Sequence, residues 1–131
     1  MTGAGVRTHE EIDAGLCGVA IEVAEGRAVV ELATDSKMRA DGRGLVHGGF
    51  VFGLADYAAM LAVNEPTVVM AAAEMAFVAP VVVGDRLRAE GRRTAGDGRR
   101  QTVEVVVRRG DAEVARGLFR TATPERHVLD R

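Results

Sequence analysis

Hydrophobic and polar positions divide the chain into one long apolar segment, Gly48 to Val63, and a series of shorter alternating segments. Apart from Asp56 and Tyr57, the long segment contains only Gly, Ala, Leu, Val, Met and Phe. It stops just before Pro66, which lacks the N–H that a continuing helix needs. We therefore predict one helix of about four turns. Because the helix is apolar nearly all round, we expect protein to cover most of its sides.

The segments on either side of this helix alternate between hydrophobic and polar residues, as half-buried β-strands do. The predicted strands cover residues 19–24, 28–32, 67–79, 86–92, 102–107 and 113–121. The first two form a hairpin, and a short helix over residues 8–16 precedes them. The run 67–79 is almost wholly apolar and indicates a central strand, whereas the charged alternation over 86–92 favours an edge.

This order of elements predicts an α+β fold in which a curved antiparallel sheet of about six strands wraps around one long buried helix. The four predicted strands after the helix would form an antiparallel meander. With 131 residues, the chain is expected to be a single domain, residues 1–131, with loosely held ends at 1–7 and 124–131.

Composition excludes several classes of function. The formal net charge of −2 argues against non-specific nucleic-acid binding. The only serine, Ser36, lies in a polar loop, so no Gly-x-Ser-x-Gly nucleophile elbow exists. The single cysteine, Cys17, has no nearby histidine in sequence and is interpreted as a structural thiol. The three histidines lack zinc-ligand spacing, and no metal site is predicted.

We also expect a cytoplasmic protein without a membrane partner. No charged and then apolar signal segment opens the sequence. The apolar helix is too short and too rich in glycine to span a bilayer, where His47 and Asp56 would be costly. A lone cysteine also fits a reducing compartment.

Candidate chemistry concentrates at the start of the long helix. Its first residues, Gly48 and Gly49, leave the first amides uncovered, and a helix N-terminus is a natural site for an oxyanion. Asp56 lies two turns beyond Gly49, on nearly the same face but about 10 Å further along the axis. One chain therefore cannot easily bring both groups to one reacting atom, whereas a two-fold dimer with antiparallel helices would.

Two motifs carry a resemblance to a known family, in addition to the order of elements. The first is Gly44-Leu45-Val46-His47-Gly48-Gly49 followed by Leu54-Ala55-Asp56, and the second is Phe77-x-x-Pro80 with Gly84-Asp85. Over residues 15–121 the chain resembles the hotdog fold, and in particular the acyl-CoA thioesterases of the phenylacetate-degradation type.

The resemblance implies hydrolysis of an acyl-CoA thioester by a homodimer or a dimer of dimers. It implies no cofactor, since CoA is part of the substrate. By analogy, the N–H of Gly49 would polarise the thioester carbonyl, and His47 would position that carbonyl or the loop around it. Asp56 from the partner chain would act as general base on water, or attack directly.

A further set of residues would contact the substrate. Relatives commonly carry an asparagine a few residues before His-Gly-Gly, and Asp41 lies in the corresponding stretch as a possible polar substitute. Gly48 adjoins the carbonyl site, Phe50 and Phe77 could line a pocket for an aryl or medium aliphatic chain, and Tyr57 could contact its rim.

Several alternatives remain open at this stage. His47 could simply be satisfied by backbone in a tight turn, and Asp56 could be a structural acid paired with an arginine. The arginines on the hairpin ends could bind CoA phosphates or only solvate the surface: Arg92, Arg93, Arg99, Arg100, Arg108 and Arg109. The chain could be a non-catalytic acyl-CoA-binding domain or a hotdog hydratase, and a carrier-protein thioester could replace CoA.

Overall fold

The computed structural model of the chain describes residues 2–3 and 5–130. Within them, the strands are β1 (Thr2–Gly3), β2 (Val19–Ala24), β3 (Arg27–Ala33), β4 (Val69–Phe77), β5 (Arg86–Asp97), β6 (Arg100–Arg109) and β7 (Ala112–Ala122). The α-helices are α1 (Ala14–Cys17) and α2 (Gly48–Val63), and a 3₁₀ turn covers Ser36–Met38.

All the strands belong to one sheet, in the order β1-β2-β3-β5-β6-β7-β4. The six long strands pair antiparallel, and the two-residue β1 pairs parallel to β2. Helix α2 packs mainly on β3, β5 and β6, at the centre of the sheet. The predicted α+β hotdog architecture, a curved antiparallel sheet around one long helix, is thereby confirmed.

The bounds predicted for the long helix are also confirmed, because α2 begins at Gly48 and ends at Val63. Asn64 ends it in the left-handed conformation, with its N–H donated to the Met60 carbonyl over 2.8 Å. The sheet approaches α2 so closely that a Cβ added at Gly91 of β5 would lie 2.8 Å from the Ala58 carbonyl oxygen. Glycine is therefore required at that contact.

The core lies between α2 and the inner face of the sheet. It is built mainly from aliphatic side chains that alternate along the strands, and Phe119 of β7 packs against Phe52 of α2 at 5.6 Å between ring centroids. The fully or almost fully buried strand residues include Val30, Leu32, Leu87, Ala89, Val103, Val105, Val107 and Phe119. Among residues 2–3 and 5–130, no helix is long and apolar enough to cross a membrane.

Two predictions about strand position are wrong. The apolar run predicted as a central strand is β4, which lies at the edge of the sheet beside β7 and is mostly exposed. The charged strand predicted at an edge is β5, which lies inside the sheet between β3 and β6. Alternation of hydrophobic and polar residues indicates that one face of a strand contacts solvent. In an antiparallel sheet with one solvated face, interior strands alternate in the same way as edge strands. The meander therefore contains only β5, β6 and β7.

Part of the segment before β2 is hydrogen-bonded to the residue that ends α2. The Asn64 side chain accepts a hydrogen bond from the Arg7 N–H and donates one to the Gly5 carbonyl, both at 2.8 Å. The short helix predicted over residues 8–16 is reduced to α1, because Asp13 supplies the N-cap by accepting the N–H groups of the first turn.

Candidate active site

Backbone pairing fixes the residue that precedes α2. The Val46 N–H donates to the Val81 carbonyl and the His47 N–H donates to the Met38 carbonyl, each over 2.8 Å. His47 is held in an extended conformation at the N-cap position, with φ −63° and ψ 132°. The chain therefore enters the helix at a fixed angle, with both sides of the entering segment paired.

The amides at the start of α2 are left free of a capping side chain. His47 makes no side-chain cap hydrogen bond, although its carbonyl accepts the Phe50 N–H over 3.0 Å. The N–H groups of Gly48 and Gly49 precede the first position that an intrahelical bond can satisfy. The positive end of the helix dipole thus presents its donors without competition from a capping oxygen.

The imidazole of His47 folds over this helix start. A Cβ added at Gly49 would lie 3.0 Å from Cδ2 and 3.1 Å from Nε2 of His47. Glycine at this position allows the ring to approach the backbone. The exposed ring also meets Phe50 edge to face, at 6.1 Å and 79°. His47 and Gly49, both predicted as catalytic, are therefore adjacent in space.

A pocket of about 310 Å³, walled by hydrocarbon side chains and by backbone, opens beside Gly48. The Phe77 ring forms one wall, since a Cβ at Gly48 would lie 3.5 Å from it, and this ring is 53% exposed. The pocket is lined by Leu45, Val46, Gly48, Val51, Phe77, Val78, Ala79, Pro80, Val81 and Val114. The sequence indicated Gly48 and Phe77 but not the valines. Val51 could have been found from its spacing, three residues after Gly48 on a helix, whereas Val114 carries no local signal.

Asp56 is the partly buried acid of the helix. Its Oδ1 is buried and has no hydrogen-bond partner within the part of the chain that the structure describes. Burial raises the pKa of the Asp56 carboxyl, because the charged form loses hydration. The alternative of a structural pair with an arginine finds no support in the nine ion pairs of the described residues, since none includes Asp56.

The thiol of Cys17 approaches the same face of α2, a proximity that the sequence did not predict. Its Sγ lies 4.0 Å from the position of a Cβ at Gly53, three residues before Asp56. Burial, and then the charge of Asp56, raise the pKa of Cys17, so the thiol stays protonated and is a poor nucleophile. The glycine in mid-helix was the available signal, because it permits close approach of another segment.

Two other predicted contacts occupy different surroundings. Asp41 is exposed, and its carboxylate accepts the N–H groups of Arg43 and Leu45 at 2.9 and 3.1 Å, which shapes the loop ahead of His47. Tyr57 is buried, and its ring centroid lies 6.5 Å from that of His9. Tyr57 therefore packs beneath the N-terminal segment, far along α2 from its start.

Four of the six hairpin arginines have partners within the protein. Arg92, Arg93 and Arg99 contact Glu90, Gln101 and Glu125 respectively. Arg109 donates to the Asp85 carboxylate over 3.1 Å and to the Pro80 carbonyl over 2.8 Å. Arg109 thus stabilises the loop that lines the pocket, and its guanidinium would have to leave these partners in order to bind a phosphate.

Comparison with known proteins places this arrangement in a family. The thioesterase superfamily matches residues 43–115, more than half of the chain, from the turn before His47 into β7. The chain belongs to the thioesterase superfamily. The superfamily segment thus contains all of α2, the pocket and Asp56, together with β4, β5 and β6.

Several solved structures share the superfamily fold. An uncharacterized protein of Pyrococcus horikoshii is 50% identical, with a TM-score of 0.96 over 99% of this chain and 100% of that one. A sigma28-regulated virulence protein of Campylobacter jejuni is 27% identical, with a TM-score of 0.92 over 95% and 96%. The PaaI protein of the E. coli phenylacetic acid degradation operon is 27% identical, with a TM-score of 0.78 over 87% and 86%.

One curated relative of the chain is a much longer protein than the chain itself. Methylthioribose-1-phosphate isomerase of Aquifex aeolicus is 47% identical over 116 residues, which are 88% of this chain. The chain spans only about a quarter of that protein's length, 25%. The isomerase name therefore describes a protein of which this chain matches one part.

Proposed function

We propose that the protein hydrolyses an acyl-CoA thioester to the free acid and CoA. The observation that carries the proposal is a single helix with free amides at its start and, two turns further on, a partly buried carboxylate whose Oδ1 has no hydrogen-bond partner among the described residues. Membership of the thioesterase superfamily supports thioester hydrolysis. The likeness to the PaaI protein supports the phenylacetate-degradation type of this chemistry.

The amide of Gly49 serves as the donor to the thioester carbonyl. Negative charge develops on that oxygen as the carbonyl carbon becomes tetrahedral, and a fixed N–H at a helix start stabilises it without reorganisation. His47 lies against Gly49 and positions the carbonyl or the loop around it. Loss of one such donor lowers kcat by about 10²–10³ in well-studied enzymes.

Asp56 supplies the base or the nucleophile. Burial raises its pKa, which makes its ionised form a stronger proton acceptor near neutral pH. As general base, it takes a proton from water while the water oxygen bonds to the acyl carbon, and that proton passes to the departing CoA sulfur. As nucleophile, its oxygen bonds to the acyl carbon while the C–S bond breaks and CoA leaves as the thiolate. Water then cleaves the resulting acyl anhydride to the free acid and the Asp56 carboxylate, and a proton from that water passes to the CoA sulfur.

The two halves of the site come from different subunits of a homodimer, or of a dimer of dimers. Within one chain, Gly49 and Asp56 are separated by about 10 Å along the helix axis. Edge strand β4 supports such a dimer, because its exposed backbone can pair with a second copy. The small side chains of Ala71, Ala72 and Ala73 permit close approach. An antiparallel pair of α2 helices would bring Asp56 of the partner subunit to Gly49.

The test is release of free CoA thiol from acetyl-, medium-chain, long-chain and aryl-CoA esters by wild type and Asp56→Asn. We expect hydrolysis of at least one class and a loss of about 10²–10⁴-fold in the variant. Asp111→Asn makes the same change at an exposed turn position and should retain full activity. Absence of hydrolysis with every ester, or equal activity of Asp56→Asn and wild type, would disprove the mechanism.

A further inference from the structure

We infer that Asp85 is a positioning residue for the candidate active site. Its carboxylate holds the loop of residues 80–85, and that loop holds the segment from which α2 begins. The inference rests on the proposed function, because it concerns the placement of the Gly49 amide that serves as donor to the thioester carbonyl. It also accounts for the Gly84-Asp85 motif, which the proposed mechanism does not use.

The carboxylate of Asp85 holds the loop from within. Its Oδ2 accepts the Val82 N–H over 2.9 Å, and the Asp85 N–H donates to the Val82 carbonyl over 3.0 Å. The same Oδ2 accepts a hydrogen bond from Nη1 of Arg109 over 3.1 Å, and this nitrogen also donates to the Pro80 carbonyl. The first residue of the loop and its last residue are therefore tied to one guanidinium.

The backbone of Asp85 ties the loop to the residue that follows β3. The Asp85 carbonyl accepts the Thr34 N–H over 3.0 Å and the Thr34 hydroxyl over 2.6 Å. The oxygen of that hydroxyl accepts the Gly84 N–H over 3.1 Å. Gly84 has a φ of +99°, which favours glycine, and the chain turns there into β5. The loop is thus held from the end of β3 by Thr34 and from the end of β6 by Arg109.

The loop pairs in turn with the segment that leads into α2. The Val81 carbonyl accepts the Val46 N–H, and the Val83 N–H donates to the Gly44 carbonyl, each over 2.8 Å. The Gly49 N–H lies only three residues beyond Val46. The direction of that amide therefore depends on a series of hydrogen bonds that begins at Asp85.

Polar contacts hold much of this loop, and packing holds less of it. Val81 is buried, but Val82 is 48% exposed, and a Cβ added at Gly84 would meet nothing within 4 Å. Loss of the Asp85 carboxylate should therefore loosen the loop while the domain stays folded. A displacement of about 1 Å that a distant substitution causes at a reacting group can lower the rate by about 100-fold. A small movement of the loop is thus expected to have a large effect on turnover.

The experiment compares three variants. Asp85→Ala removes the accepting oxygen, whereas Asp85→Asn can keep an oxygen at the same place. Glu90→Ala is the matched control, because it also removes a carboxylate that accepts two hydrogen bonds, from Arg27 and Arg92 at 2.7 and 3.0 Å. Glu90 lies on β5, roughly 16 Å along the strand from Asp85.

The first measurement is amide hydrogen exchange by NMR, which needs no substrate. Rates are compared with those of the β6 amides, because core strands exchange only on global unfolding. We expect the Val46 and Val83 N–H groups to exchange about tenfold faster or more in Asp85→Ala, and the Gly49 amide resonance to shift. Asp85→Asn and Glu90→Ala should leave all three amides as in wild type. Unchanged exchange at Val46 and Val83 in Asp85→Ala would overturn the inference.

The second measurement is kcat and KM for the acyl-CoA ester that wild type hydrolyses best. In Asp85→Ala we expect kcat to fall about 100-fold with little change in KM, because the misplaced donor acts on the transition state. Asp85→Asn should recover most of this kcat, and Glu90→Ala should keep the wild-type kcat. Equal losses of kcat in Asp85→Ala and Glu90→Ala would indicate a general loss of stability and overturn the inference. A rise in KM alone would overturn it as well.

The two measurements separate this inference from the proposed function. If wild type hydrolyses no ester, the hydrolysis proposal is rejected, and a shifted Gly49 resonance with faster exchange at Val46 and Val83 still upholds positioning by Asp85. Faster exchange with an unmoved Gly49 resonance rejects positioning, because the loop then moves without the helix start. Hydrolysis that Asp85→Ala performs at the wild-type rate rejects positioning and upholds hydrolysis.

Discussion

A mixture of two inactive variants should recover activity if each site is built from two chains. Gly49→Pro removes the amide donor, and the helix should persist because an N–H in the first turn has no intrahelical partner. Asp56→Asn removes the base with little change of shape. Gly49→Ala is the control, since its Cβ meets the same His47 ring at 3.0 Å but the N–H remains.

The expected recovery follows from counting sites. Random reassociation of equal amounts of the two variants makes half of the dimers mixed. Each mixed dimer combines Gly49 of the Asp56→Asn chain with Asp56 of the Gly49→Pro chain in one intact site, and its other site lacks both groups. The mixture should therefore reach about a quarter of wild-type activity, against about 1% or less for each parent. A dimer of dimers gives the same fraction.

The assay is CoA thiol release after the two variants have been unfolded together and refolded, with native mass spectrometry to count mixed dimers. Gly49→Ala alone should lose less activity than Gly49→Pro, because both place a Cβ against the His47 ring and only the proline removes the N–H; the difference between the two variants measures the lost donor. Mixed dimers that form and yet work no better than their parents would refute assembly of the site across subunits. They would place Gly49 and Asp56 of one chain at the same site, despite their separation along α2.

Three further predictions concern charge, support and assembly. Because burial raises the pKa of Asp56 in the folded protein, its ionisation opposes folding at neutral pH. Asp56→Asn should raise Tm at pH 7, and this gain in Tm should vanish below a pH of about 3.9, the pKa of the carboxyl in the unfolded chain. Calorimetric scans that show the same gain in Tm at pH 7 and below that pH would contradict this. Arg109→Ala, which loses the contacts with Asp85 and Pro80, should lower the free energy of unfolding by about 1 kcal/mol in urea titrations. Its affinity for free CoA should equal that of wild type, and a large loss would restore Arg109 as a phosphate ligand. Ala73→Lys puts a charge on edge strand β4 and should yield an inactive monomer in sedimentation velocity; a persistent dimer would argue for another interface.

Local chemistry made some elements predictable and left their neighbours undetermined. The glycines at 48 and 49 and the proline at 66 delimited α2, because these residues act on the backbone where they stand. The position of β4 was not predictable in this way. An apolar run indicates that both faces of a strand are covered. The same run is expected for a strand at the centre of a sheet and for an edge strand that pairs with another chain. The alternation of charged and apolar residues in β5 likewise indicates one solvent-exposed face, but it does not indicate where in the sheet the strand lies.

The same distinction applies to the candidate site. His47, Gly49 and Asp56 were identified because they lie within one short motif on one element. The pocket was only partly foreseen, since Val81 and Val114 reach Gly48 through pairing between distant segments. The contact of Cys17 with the Asp56 face depends on how α1 docks on α2. Such contacts follow from tertiary packing, which periodicity along the chain does not encode.

The pairing of β4 with β7 has a consequence for how the protein is made. Strand β4 is synthesised before β5 and β6, but its strand partner among the described residues is β7, which comes after both of them in the sequence. Until residue 122 has left the ribosome, both edges of β4 lack a partner from its own chain, and its apolar residues remain exposed. Unpaired edges of this kind are templates for aggregation during folding. The nascent chain can therefore pair an edge of β4 within itself only once β7 has been synthesised.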